Sequence, residues 1–190
     1  MSNIRESIQQ SIAVKQAILE DAGMISKIEQ VVDICVKSLR AGGKIHFCGN
    51  GGSAADAQHL AAELSGRFYI NRPALNAEAL HCNTSYLTAV ANDFGYVHIF
   101  SRLVEGTAKA GDVVIGISTS GNSENIVEAF EKAREMGVAT VAMTGEAGGK
   151  MQMADVLLNV PSKVTPRIQE SHILIGHIIC ELIEKEMFSK

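Results

Sequence analysis

The sequence predicts an α/β domain in which a parallel sheet is covered by helices on both faces. Two observations carry that expectation. Short, almost wholly apolar runs recur along the chain, as strands buried on both faces require, and helical stretches separate them. Strands alternating with helices give right-handed crossovers, and hence a doubly wound, three-layer sandwich. The length agrees: 190 residues, at roughly 150 per domain, suit one domain over 1–190. An N-terminal helical extension (1–40) would precede an α/β core (41–190).

Residues 2–22 and 24–40 read as two helices with Gly23 as the break between them. Ile4, Ile8 and Ile12 stripe the first, and Ile28, Val31, Val32, Cys35, Val36 and Leu39 the second. Ala41-Gly42-Gly43 stops the second helix. Lys44–Cys48 is a buried strand, Gly49–Ser53 a tight turn, and the Ala-rich stretch 54–64 a helix. A weak strand at 77–80 precedes helical stretches at 85–91 and 97–108. Residues 112–117 form a clear strand, 118–123 a polar turn and 124–136 a helix. The strand 138–143, a Gly-rich turn with a short helix, and the strand 156–160 follow. Residues 166–187 close the chain as a long helix with Pro166 at its first position.

Composition narrows the function classes. Seventeen Lys and Arg against 21 Asp and Glu leave a charge of −4 with no basic block, which argues against nucleic acid and membrane surfaces as partners. No apolar run reaches the ~18 residues of a bilayer span, and the polar start is unlike a signal peptide, so a cytoplasmic protein is expected. Aromatic residues make up only 5%, which leaves little stacking surface for flat bases, whereas 17 Gly let backbone approach a ligand closely. The four scattered cysteines contain no CxxC pair and read as reduced, buried thiols.

In open α/β sheets ligands bind at the carboxyl ends of the strands, beside helix N-termini. Two turns occupy that position. One is Gly49-Asn50-Gly51-Gly52-Ser53. The other, Ser118-Thr119-Ser120-Gly121-Asn122-Ser123, packs four hydroxyls before a helix, more than a single helix cap needs. Hydroxyl donors and free helix N–H groups suit a phosphate monoester. The first turn also fits the relaxed dinucleotide fingerprint Gly49-x-Gly51-x-x-Ala54, with Glu78 as the nearest ribose acid, but no second domain remains for a hydride partner. His59 and Glu63, four apart on one helix face, are spaced to share a metal or to form a polar pair at a pocket edge. The closing helix adds Gln169, His172 and His177 to an otherwise apolar run. Gln169 and His177 stand eight residues, roughly 12 Å of helix rise, apart. They reach one ion, serve different sites, or are completed by a neighbouring subunit; spacing does not choose among these.

Cys-Gly-Asn-Gly-Gly-Ser at 48–53, Asn-Asp-Phe-Gly at 92–95, Gly-Ile-Ser-Thr-Ser-Gly-Asn-Ser at 116–123, Thr-Gly at 144–145 and Arg-Ile-Gln-Glu at 167–170 together resemble the sugar isomerase (SIS) domain family. The resemblance spans essentially the whole chain. It implies a flavodoxin-like, five-stranded parallel sheet and a homotetramer with active sites at subunit boundaries, the N-terminal helices taking part in oligomer packing. The implied reaction is the aldose–ketose isomerisation of sedoheptulose 7-phosphate to D-glycero-D-manno-heptose 7-phosphate. That step opens ADP-heptose synthesis for lipopolysaccharide core or related surface glycans. By position the resemblance implies one zinc per subunit, held by His59, Glu63, Gln169 and His177. Substrate contacts would fall on Asn50, Gly51, Gly52, Ser53, Glu63, Asn92, Asp93, Ser118, Thr119, Ser120, Ser123 and Gln169, with Arg67 as a further candidate.

Shifting a carbonyl between C1 and C2 requires a proton to leave one carbon and return to its neighbour, work suited to a carboxylate and an imidazole. Glu63 is then the base and His177 its acid/base partner on the oxygens, or the order is reversed. Two other readings stand beside this one. A related non-catalytic protein that associates with the bacterial replication initiator shares several motifs but lacks the acid of Glu63 and the imidazole of His177. An isomerase of another phosphosugar is the second, because a hydroxyl loop recognises phosphate rather than chain length. Some isomerase members carry an acid where this chain has Pro166, which leaves that role open.

Overall fold

The computed structural model describes residues 2–188. Five strands, β1 (Ile45–Gly49), β2 (Ala77–Ala79), β3 (Val113–Ser118), β4 (Ala139–Gly145) and β5 (Val156–Val160), form one parallel sheet in the order β2-β1-β3-β4-β5. This is the flavodoxin-like order, in which the direction of strand addition reverses between β1 and β3. Helices α1 (Ser2–Glu20), α2 (Ala22–Arg40), α3 (Gly52–Ser65), α4 (Thr84–Asp93), α5 (Ser101–Thr107), α6 (Glu124–Glu135) and α7 (Thr165–Phe188) flank it. Every residue of β1 and β3 is buried, which explains their continuous apolar runs. One core face packs β1, β3, β4 and β5 against α2, α3 and α7 through Val32, Leu60, Ile175 and Ile179. The opposite face seats Phe100, Val104, Ile126 and Phe130 of the α5–α6 side.

Four local expectations are corrected. The break between the first helices falls at Asp21, not Gly23: the Asp21 carboxylate accepts from the N–H groups of Gly23 and Met24 and caps α2, so Gly23 lies inside its first turn. The stretch 97–108 is not one helix. Gly95, at φ +95°, redirects the chain into a 3-10 turn over Tyr96–His98, and α5 starts only at Ser101. Cys35, Cys48 and Cys180 are buried free thiols, but Cys82 is exposed just past β2. Glu78 does not stand at a strand end as a ribose acid would. It binds Lys44 Nζ at 2.8 Å and lies 3.5 Å from Nδ1 of the buried His46, so the dinucleotide fingerprint finds no support.

Among the described residues no helix is long and apolar enough to cross a membrane. On α1, Ile4, Ile8, Ile12 and Leu19 are all more than half exposed. Beside them Ile18, Ile25, Ile28, Leu174 and Ile178 line an apolar groove of about 350 Å³.

Candidate active site

The two predicted turns emerge side by side, from the carboxyl ends of the paired strands β1 and β3, at the topological switch point. Gly51, at φ +56°, precedes α3 and makes no side-chain cap bond. Ser123 occupies the N-cap of α6, yet its hydroxyl does not cap the helix. It lies 2.8 Å from Ser118 Oγ, which is 3.4 Å from Ser120 Oγ. Three hydroxyls thus converge in front of an uncapped helix N-terminus, an arrangement that favours an anion. The backbone of Thr119, whose carbonyl accepts from Gly145 N–H, ties this loop to the end of β4.

Asn50 is fixed by two residues the sequence did not single out. Its side-chain amide exchanges two hydrogen bonds with Asn125, at 3.0 and 2.8 Å, and its Oδ1 also accepts from the Tyr96 hydroxyl at 3.1 Å. Asn125 is only 4% exposed at the start of α6, whereas Tyr96 is half exposed. Asn92 and Asp93 end α4 in the open; the Asn92 amide donates to Asp93 Oδ1 at 2.8 Å. Arg67 is exposed just past α3.

The second cluster forms where α3 meets α7. A Cβ on Gly176 would stand 2.5 Å from Leu60 Cδ1, so the glycine is what lets the two helices approach. That approach sets His59 Nε2 2.9 Å from His177 Nε2 and 3.2 Å from Glu63 Oε1. The two imidazole nitrogens stand at hydrogen-bond distance, the tautomer deciding which donates, and Phe68 covers His177 with ring centroids 5.9 Å apart. The donor atoms of His59, Glu63 and His177 all lie within 4.8 Å of one another. Two neutral imidazoles and a carboxylate are the protein ligands of many catalytic zinc sites, which keep one position open. The donor set fits a divalent metal.

Gln169 sits elsewhere on α7. Its Nε2 comes within 2.7 Å of where a Gly52 Cβ would stand, at the opening of α3, while His59 is seven residues, about 10 Å, further along that helix. Asp56, three residues before His59, was also missed. Burial raises its carboxyl above the ordinary range, the nearby His59 and His177 side chains oppose this electrostatically, and its Oδ2 has no hydrogen-bond partner among the described residues.

His172 belongs to the core rather than to either cluster. Fully buried, it donates Nε2–H to the Thr144 carbonyl at 3.0 Å, and burial lowers its pKa to about 4 against that hydrogen bond. Burial lowers His46 and His81 as well. A base depressed in the native state leaves stability intact above its unfolded pKa and removes it as pH falls, because only the unfolded chain takes the proton. Stability is therefore expected to drop between pH 6.5 and 4, with about 3 kcal/mol from His172 alone at pH 4. Urea midpoints across that range check it. His172→Gln, which keeps a donor for Thr144, should flatten its share of the slope, and an unchanged slope would refute the assignment.

Comparisons with known proteins agree with this architecture. The SIS domain family model matches residues 8–145. A phosphoheptose isomerase of Sulfurimonas denitrificans is 57% identical over 186 residues, 97% of this chain and 95% of that protein. One from Akkermansia muciniphila is 59% identical over 168 residues, covering 88% of this chain and 89% of the relative. The solved phosphoheptose isomerase of Neisseria gonorrhoeae superposes with a TM-score of 0.91 at 44% identity, over 97% of this chain and 98% of its own. A family match across more than half the chain, with near-full-length relatives above 50% identity, means that this protein belongs to the SIS domain family.

Proposed function

We propose that the protein is an aldose–ketose isomerase that converts sedoheptulose 7-phosphate to D-glycero-D-manno-heptose 7-phosphate. The convergence of His59, Glu63 and His177 carries the reading, because it joins a carboxylate and an imidazole at one point, as proton transfer between adjacent carbons needs. The relatives named phosphoheptose isomerases support the seven-carbon substrate.

Ser118, Ser120 and Ser123, with the N-terminus of α6, bind the phosphate; Thr119, Gly51, Gly52 and Ser53 line the loops around it. Asn50, Asn92 and Asp93 orient the sugar hydroxyls. Glu63 removes the C1 proton and returns it to C2. His177 gives a proton to the C2 oxygen as its carbonyl opens and takes one from the C1 hydroxyl. The net change is one proton moved between neighbouring carbons and one between neighbouring oxygens. His59, Glu63 and His177 would hold a zinc ion, with the Gln169 of a neighbouring copy as a fourth ligand; when bound, the ion would supply Lewis-acid polarisation of the substrate oxygens.

Because Gln169 lies beside Gly52, about two helix turns before His59 along α3 in one chain, a neighbouring copy completes the site. A homotetramer brings them together, and the exposed α1 stripe with its apolar groove supplies the packing surface. A cytoplasmic enzyme opening ADP-heptose synthesis, for lipopolysaccharide core or other surface glycans, follows from this reading. The test is a panel of ketose phosphates with five to seven carbons, combined with elemental analysis and a solution mass. Expected are aldose product from the seven-carbon ketose, near-stoichiometric zinc and the mass of four chains. Turnover confined to another phosphosugar, or none, would replace the reading.

A further inference from the structure

The loop between α3 and β2 is organised by two buried charges that proton transfer does not use. Glu184, on α7, is 3% exposed and accepts four hydrogen bonds: from the N–H groups of Phe68, Tyr69 and Ile70 at 3.0, 2.8 and 3.1 Å, and from Arg72 Nε at 2.8 Å. Burial would raise its carboxyl; the three backbone donors and Arg72 outweigh burial and hold it below the ordinary range. Arg72 spends its remaining donors on carbonyls. Nη1 reaches Leu64, Gly66 and Pro73 at 2.8, 3.3 and 3.1 Å, and Nη2 reaches the Glu63 carbonyl at 2.9 Å.

Desolvation offsets most of what a buried ion pair gains, and an apolar pair of similar size often stabilises a fold as well or better. Stability alone therefore does not account for this one. Its placement does: Arg72 grips the backbone of Glu63, and Glu184 grips the backbone of Phe68, whose ring stands against His177. Glu184 also follows His177 by seven residues, two turns along α7.

We infer that Arg72 and Glu184 are positioning residues of the candidate active site, a clamp that holds Glu63, on α3, in register with His177, on α7. The inference rests on the reading of His59, Glu63 and His177 as the reacting and metal-holding cluster. The clamp acts from behind: neither charge reaches the donor atoms, and each fixes the backbone from which a donor or its cover projects. Loosening it should weaken metal affinity and the proton-transfer rate, while leaving phosphate recognition at the hydroxyl loop intact.

Arg72→Lys keeps the charge but loses the fork that spans four carbonyls. Glu184→Gln keeps the shape but turns a donor toward Phe68 N–H and Arg72. Phe68→Leu leaves the ion pair alone and removes the ring from His177, so it tests the clamp even where the buried variants fail to fold. Metal-stripped wild type and variants are titrated with Zn²⁺ and assayed with the seven-carbon ketose phosphate. Expected is a ~10–100-fold loss of Zn²⁺ affinity in the first two, as for groups that orient metal ligands, and a smaller loss in Phe68→Leu. kcat should fall in parallel, with KM nearly unchanged. Folded variants with wild-type affinity and kcat would overturn the clamp. Wild type that takes up no Zn²⁺ overturns the metal reading instead; the clamp is then decided by the ring proton resonances of His59 and His177, which must shift in Arg72→Lys for it to stand.

Discussion

Glu63→Gln is expected to lower kcat by about 10³-fold while the chain keeps its fold and its KM changes little. The size follows from two losses. A neutral amide cannot take the C1 proton, and positioned general bases contribute typically 10²–10⁴-fold. The charged ligand beside His59 and His177 is lost as well, which weakens the pull of any bound metal on the substrate oxygens. The fold should tolerate the change: the side chain is 25% exposed and its ion pair, with His59, is partly in solvent. Such pairs contribute about 0–1 kcal/mol. KM should hold because the hydroxyl loop lies in a different part of the fold. The cleanest measurement is deuterium uptake from solvent into the C1 and C2 positions of the sugar, read by NMR alongside product formation. Exchange within tenfold of wild type would remove Glu63 from the role of base.

Gly121→Ala should destabilise the protein by about 3 kcal/mol or more and disable the hydroxyl loop proposed to hold the phosphate. Two costs add here. Gly121 sits at φ +66°, where an L side chain costs roughly 1–2 kcal/mol. Its new Cβ would also stand 2.1 Å from the Gly148 carbonyl oxygen and 2.5 Å from that carbonyl carbon, which are backbone atoms with no rotamer to yield. Overpacking of this kind costs typically 1–3 kcal/mol. The Gly121 carbonyl, moreover, accepts from Met151 N–H at 2.9 Å, and its N–H donates to the Ser118 carbonyl at 3.0 Å. Any relief must therefore move the loop that carries Ser118, Ser120 and Ser123. For a chain of this length about 3 kcal/mol corresponds to a Tm lowered by roughly 6–12 °C. KM for the phosphorylated substrate should rise at least tenfold. A Tm within 2 °C of wild type would show that the loop has room that the geometry denies.

The sheet was legible because β1, β3 and β4 are buried on both faces and so read as unbroken apolar runs. The helix boundary at Asp21 was not, because a capping side chain two residues before Gly23 outweighs the glycine itself. Half of the histidine cluster was legible: a His and a Glu four residues apart must share a helix face. That His177 meets them was implied by the family resemblance and not by spacing, since it depends on how closely α7 docks on α3, which Gly176 and Leu60 decide across more than a hundred residues of chain. Asn125, Tyr96, Arg72 and Glu184 escaped for the same reason. Each looks like an ordinary polar residue until the fold supplies its partner. The hydroxyl run 118–123 stood out because its chemistry is local, and in the structure its serines do face one another rather than cap a helix.

The unbroken course of α7 has a consequence for how this chain tolerates change. Along its 24 residues it carries Gln169 over the first loop, His172 into the core, Gly176 against Leu60, His177 into the cluster and Glu184 under the clamp. One residue inserted between His172 and Gly176 would rotate everything beyond it by about 100° and carry the last three off the α3 face together. Such a helix can exchange most of its solvent-facing letters, yet no mutation that adds or removes one leaves the frame readable. Its sequence is free to drift where its length is not.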